Sequence, residues 1–236
     1  VDKCKMQYML IPMKLKFCYL VYLLTERFDS KKTIIIFTNT LKECAILHRQ
    51  LQVLEMSVVS LHALMDQKDR MATLQAFKSK MVKILVATDV AARGLDIPTV
   101  DLVINYDVPN THWYVHRVGR TARGNKSGQA LTLVTQYDVA AYKAIESSTH
   151  RQFPELGVDE NLVLQHLNEA IKARQIAILD LEDEGFFERW EMHKRNKYGT
   201  KKRRAQEQAE GDGRPQRKKY KNKKPKYKGK KGGSKK

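Results

Sequence analysis

Cysteine is scarce in this chain, with three in 236 residues. Cys4, Cys18 and Cys44 form no CxxC pair and no even framework, so they read as ordinary thiols of a reducing compartment, and neither a metal site nor a disulfide scaffold is expected. Long apolar runs are missing too. The longest lies near residues 19–24, far short of a bilayer span, and no segment looks like a secretion signal. A soluble, non-secreted protein without a membrane partner is expected. Nowhere is there a GxxxxGK(S/T) loop, whose backbone amides would cradle nucleotide phosphates. Residue 1 is Val, with no initiator Met, and the sequence is expected to be a fragment of something longer.

Positive charge is what the chain has in excess: 44 lysines and arginines against 26 acids, a formal +18. Its placement divides the chain. From Lys194 to the C-terminus there are 20 basic residues and three acids, and the remainder is nearly balanced at 24 against 23. A tail of that composition cannot bury a core, so 199–236 is expected to be disordered. It could supply steeply salt-dependent phosphate affinity or act as a nuclear targeting signal, with KKRR at 201–204, and Tyr220 and Tyr227 could stack on bases.

Before the tail, strand and helix patterns alternate. Strands are expected at 7–11, 33–38, 57–61, 83–87, 101–106 and 129–135. Between them, helices are expected at 15–28, at 41–55 with Leu41, Cys44, Leu47, Leu51 and Leu54 in step, and at 66–79. The last of these has Asp66 as N-cap and Met71, Leu74 and Phe77 inward. A helix at 137–149 closes the series. Such alternation specifies an α/β fold, a parallel sheet with helices on both faces, whose ligands bind at the carboxyl ends of the strands. Phe153-Pro154 reads as a junction. From Asp159 the period becomes helical, with Leu164, Leu167, Ile171, Ile178 and Leu181 in register. Three regions are therefore expected: 1–152, a helical extension over 153–198, and the tail over 199–236.

Two stretches carry the chemistry. The run YVHRVGRTAR at 114–123, with Thr111 as N-cap, would set His116, Arg120 and Arg123 on one helical face, two planar guanidiniums aimed the same way and suited to phosphate oxygens. The run ILVATDVAARGLDIP at 84–98 is an apolar strand that ends in Thr88-Asp89, breaks near Gly94 and leads to a lone acid, Asp96.

Together these two runs resemble motifs of the DEAD-box RNA helicases, in the second of that family's two RecA-like domains. The resemblance covers roughly 5–150 and looks like the branch that works in ribosome assembly. It implies that Arg120 and Arg123 reach a transferring γ-phosphoryl group, with His116 and Arg117 as coupling residues at the partner domain and the nucleotide edge. It implies that Asp96 contacts the ATP ribose near Gly94. It further implies that Thr38, Asn39, Gln67, Arg70, Thr88 and Arg93 hold the RNA backbone without reading sequence. ATP with Mg²⁺ would be bound mainly by an N-terminal RecA-like domain, because this chain also lacks the Asp-Glu-Ala-Asp run. Alone it would be inactive. The implied setting is a monomer acting on RNA among pre-ribosomal proteins, in the nucleus and nucleolus.

Two departures stand out, His62-Ala63 where relatives carry His-Gly, and a connection from Pro109 to His116 that is one residue short and lacks the usual acid. The competing expectation is a non-catalytic RNA-binding or scaffold protein that keeps only this lobe.

Overall fold

The structure, a computed structural model, describes residues 4–122 and 127–197. Residues through His193 form one compact unit, and a second begins at Lys194. Six strands build one sheet: β1 (Cys4–Leu10), β2 (Ile34–Thr38), β3 (Val58–Leu61), β4 (Ile84–Thr88), β5 (Leu102–Asn105) and β6 (Gly128–Val134). All neighbours are parallel, in the order β1-β6-β5-β2-β4-β3. Each crossover brings a helix onto a face. On one face lie α1 (Lys16–Tyr22), α2 (Leu41–Val53), α7 (Glu160–Gln165) and α8 (Leu167–Asp183), over a core that includes Ile34, Ile36, Leu47, Leu51, Val86 and Ile104. On the other lie α3 (Gln67–Lys78), α4 (Asp89–Ala92), α5 (Thr111–Val118) and α6 (Val139–Thr149), over Ile35, Phe37, Leu85, Ala87 and Val103. The expected RecA-like α/β sheet, covered on both sides, is thus present.

The strands sit within two or three residues of their expected bounds, because the central ones are short apolar runs buried on both faces; every residue of β2 is buried, while the edge strand β1 is only partly so. The helices differ in informative ways. The expected helix over 15–28 is a short 3₁₀ turn at Met13–Leu15, then α1, then a π-type turn over Leu23–Arg27 in which the Thr25 hydroxyl donates to the Val21 carbonyl. Leu74 and Phe77 face inward on α3 as expected, but Met71 is 55% exposed, since one short helix against the sheet edge buries a single narrow stripe. Asp66 holds the N-cap position of α3 without a side-chain cap bond.

The extension keeps only part of the expected stripe against the core, Leu181 and the half-buried Leu167. Leu164 and Ile171 are exposed, whereas Val163, Ala170, Ala173, Ala177 and Leu181 are buried. Alanine wins over the larger residues because α8 lies close against α2, and a small side chain lets two helix backbones approach. Arg174 and Glu43, 3.9 Å apart, and Arg49 with Asp180, also 3.9 Å, tie the pair at their rims. The expectations for the tail and for Tyr198 fall outside the described residues.

The three cysteines are buried and free, and burial pushes the Cys44 thiol up to about 12. Among the described residues no helix is long and apolar enough to cross a membrane. Burial also pushes two histidines down from 6.5 to about 4: His48, against the Val58 backbone, and His62. Both stay neutral in the fold while the unfolded chain protonates near 6.5. Between pH 6.5 and 4 the unfolded state binds more protons, so stability is fully present above 6.5 and falls as pH drops toward 4. Urea unfolding over that range should show the decline, and it should flatten in His48→Gln if the fold tolerates the amide.

Candidate functional site at the carboxyl rim of the sheet

Parallel register places the ends of β2, β4 and β5 side by side, with Thr38 opposite Thr88 and Phe37 opposite Asn105. The chain leaves β2 toward α2 on one face and leaves β5 toward α5 on the other. Neighbouring strands with opposite exits open a crevice at their carboxyl ends, the usual ligand position in such folds. Here that crevice is filled.

Its filling is Arg117, from α5, 1% exposed. Its Nε donates to Asp89 Oδ1 and its Nη2 to Asp89 Oδ2, both at 2.7 Å, a two-pronged pair with the residue that follows β4. Nη1 donates to the Asp107 carbonyl at 2.7 Å, Nη2 also to Asn39 Oδ1 at 2.7 Å, and the guanidinium carbon sits 5.2 Å from the centre of the Phe37 ring. Asn39 in turn gives its side-chain amide to the Val108 carbonyl and its backbone N–H to Asp107 Oδ2. Lys16, itself buried, closes on Asp107 Oδ1 at 2.6 Å. The result is one continuous polar wall built from β2, β4, β5, α1 and α5.

Two expected site residues lie in that wall. In this structure the Arg117 guanidinium is taken up by acceptors inside the fold. Asn39 uses both ends of its amide in the wall. Thr38 is likewise enclosed, 0% exposed, with its hydroxyl donating to the Thr40 carbonyl, since its place in the strand alternation turns it under the start of α2. Thr88 is buried beside it.

Three of the remaining expected residues, Arg93, His116 and Arg120, meet on the α5 side of the wall. A cavity of about 140 Å³ is lined by Phe37, Asp89, Ala92, Arg93, His116 and Arg120, among others. Its rim is aromatic and cationic. The Arg93 guanidinium lies 5.9 Å from the Trp113 ring centre, and the His116 ring lies 4.6 Å from His112 and 5.8 Å from Trp113. The geometry that delivers Arg120 is not the expected one. Asn110, rather than Thr111, caps α5 by accepting from the Trp113 N–H at 2.9 Å, and the helix ends at Val118. Arg120 therefore stands in the turn after the helix, where its carbonyl accepts from Val100 N–H and the Thr121 hydroxyl donates to the Val100 carbonyl at 2.6 Å. A Cβ on Gly128 would stand 2.0 Å from that hydroxyl, so glycine is required for β6 to begin against this turn. His116 and Arg120 still meet at one cavity. Arg123 lies outside the described residues.

Gly94 has φ +75°, which a glycine reaches freely, and space is open around it. Asp96 is exposed and pairs with Lys78 Nζ at 2.8 Å. Gln67 is exposed at the first residue of α3. Arg70 donates from Nη2 to the Ala91 carbonyl at 3.3 Å, tying α3 to α4, while its Nε is buried without a hydrogen-bond partner among the described residues. Asp89, Asp107, Lys16, His112 and Trp113 were not expected in the site. Only the acid directly after a strand, at Asp89 and Asp107, hinted at a role. Among the described residues no cluster of His, Cys, Asp or Glu could hold a metal ion.

Comparison with known proteins fits this arrangement. Residues 15–125 match the helicase conserved C-terminal domain. The probable ATP-dependent RNA helicase DDX49 of Mus musculus is 47% identical over 198 residues, covering 83% of this chain and 41% of that protein. The ATP-dependent rRNA helicase RRP3 of Phaeosphaeria nodorum is 44% identical over 177 residues, 75% of this chain and 32% of the relative. Among solved structures, the E. coli DEAD-box protein SrmB, in its crystal structure with regulator of ribonuclease activity A, superposes with a TM-score of 0.61 at 30% identity. That match covers 66% of this chain and 91% of the other. The fold is thus that of a helicase C-terminal RecA-like lobe. The chain belongs to the DEAD-box ATP-dependent RNA helicases, and it spans about two fifths of the length of the DDX49 relative.

Proposed function

We propose that this lobe is the arginine-supplying half of an ATP-dependent RNA helicase that locally unwinds RNA or remodels RNA–protein complexes. The observation that carries the reading is the difference in burial between two neighbouring arginines that line one cavity: Arg117 is locked into the wall, and Arg120, three residues further on, is half-buried. A buried arginine fixes the loop, and the more exposed one is the candidate to meet charge held elsewhere. ATP with Mg²⁺ brings the transferable phosphoryl group and its counter-charge. The residues present suit only its outward side, with Arg120 and Arg123 for phosphate oxygens, Asp96 for ribose hydroxyls once released from Lys78, and His116 for contact with the other lobe. Holding the phosphates falls to an N-terminal RecA-like lobe of the parent protein.

RNA is assigned to Gln67, Arg70 and Arg93 together with the nearly enclosed Thr88, whose amide, guanidinium and hydroxyl groups suit phosphates and 2′-hydroxyls rather than base edges. A role with pre-ribosomal RNA and its proteins, in the nucleolus, rests on the rRNA helicase relative and on the basic composition after Lys194. The lobe is taken to act as a monomer.

Reconstitution tests the reading. Joined to a nucleotide-binding lobe, the chain should support RNA-stimulated ATP turnover, and by itself it should show none. Turnover by the isolated chain, or a joined protein that binds RNA with no response to ATP, would overturn it and favour the scaffold alternative.

A further inference from the structure

The segment 62–66 joins β3 to α3 and decides where Gln67 and Arg70 point. Its own residues do little to fix it. Asp66 makes no side-chain cap bond, Ala63 and Asp66 are exposed, and one turn bond, from Met65 N–H to the His62 carbonyl at 3.2 Å, spans the segment.

Support comes instead from the far end of the described chain. Leu64 packs against a cluster formed by Ala45 and Ile46 of α2 with Leu181 and Phe186. Phe186 is 5% exposed, and its ring meets the His62 ring edge-on, with centroids 6.2 Å apart. His62 Nδ1 is buried and has no hydrogen-bond partner among the described residues. The contacts of Phe186 with His62 and of its cluster with Leu64 seat the extension on the segment. Phe186 is itself held in place. Glu184 pairs with Arg49, and the Lys42 ammonium lies 5.2 Å from the ring centre of Phe187 and 5.0 Å from that of Trp190.

We propose that the C-terminal extension positions the RNA-binding helix: Phe186, wedged against His62 and Leu64, sets the entry into α3 and so the reach of Gln67 and Arg70 toward the RNA backbone. Phe186 is a positioning residue, and its effect passes through the 62–66 segment. The inference rests on the reading above, in which α3 touches RNA. It also gives Ala63 a context, because a segment braced from outside does not depend on glycine to hold its shape.

The experiment measures binding of fluorescein-labelled decauridine to the 236-residue chain over a range of salt, so that the basic tail's contribution is separated by its steep salt dependence. Arg70→Ala is expected to weaken binding roughly tenfold at the higher salt, the loss of one hydrogen bond to a charged group. Phe186→Ala should lose a similar factor, and Phe186→Leu an intermediate one. The Phe186→Ala/Arg70→Ala double variant should lose clearly less than the product of the two single effects, because the Arg70 contact can be lost only once. A merely structural defect would not give that non-additivity. NMR supplies a second readout, in which the His62 midpoint should climb from about 4 toward 6.5 in Phe186→Ala as water enters. Wild-type affinity in every folded Phe186 variant, beside weak binding by Arg70→Ala, would overturn the inference and leave the RNA reading intact. Unchanged binding by Arg70→Ala would remove the RNA reading, and this inference with it. Should Phe186→Ala fail to fold, Phe186→Leu carries the same comparison.

Discussion

Arg120→Ala, placed in a parent protein that carries both lobes, is expected to cut ATP turnover by about a thousandfold or more while RNA affinity changes little. The magnitude is that of removing an arginine finger, typically ~10³ to 10⁵ in rate, because charge spreading over the equatorial oxygens loses its counter-charge only in the transition state. The half-buried Arg120 in the cavity lining, beside Arg93 and His116, has the placement such a role needs. Arg123→Ala should behave alike. Arg120→Lys should recover little, since a point charge cannot match two oxygens with a planar fork. Steady-state turnover with saturating RNA reads the effect, and the finger assignment falls if both alanine variants turn over at the parental rate.

Arg117→Ala should act by a different route. Its guanidinium neutralises Asp89 inside the protein, so truncation leaves a largely enclosed carboxylate without a partner and strips acceptors at Asn39 and the Asp107 carbonyl. Breaking such a pair from one side costs about 3–5 kcal/mol. For a unit of this size that is a melting temperature lower by roughly 10 °C. Thermal unfolding of the chain alone should show it, with no nucleotide or RNA present. Arg120→Ala should leave the same melting curve almost unmoved. A pair of variants three residues apart, one failing in stability and one in chemistry, separates the wall from the finger. Equal melting temperatures for wild type and Arg117→Ala would mean that the wall contributes nothing to the fold.

How much of this could be read from sequence depended on range. The strands were legible because burial on both faces leaves a local signature, as at residues 34–38, where no position is left for a polar surface residue. The arginine run was legible as a phosphate-seeking cluster. What could not be read was the use of each arginine, because Asp89 and Arg117 are 28 positions apart and meet only through the register of β2, β4 and β5. Thr38 and Asn39 went the same way, since the composition of a strand end does not say which side chains turn under the next helix. The helix was expected to run on to Arg123 and ends five residues earlier, at Val118, because the bridge from Thr121 to Val100 that stops it is tertiary. In the extension the larger aliphatics drew attention away from Ala170, Ala173 and Ala177, whose value lies in being small.

The wall also partitions the rim. Besides the 140 Å³ cavity on the α5 side, a basin of about 560 Å³ opens on the α1 and α2 side, bounded by Lys16, Asn39, Glu43, Tyr106, Asp107 and Tyr137 among others. Asn39 and Asp107 form the septum, with donors and acceptors already matched to each other, to Arg117 and to Lys16. A guest in the larger basin gains nothing by prying them apart, since doing so would take from the Arg117 guanidinium two of its acceptors, the Asn39 amide oxygen and the Asp107 carbonyl. The two compartments are thus insulated. Compounds or peptides lodged in the roomy one would leave the arginine side as they found it, and surface change could accumulate there without retuning the residues across the partition.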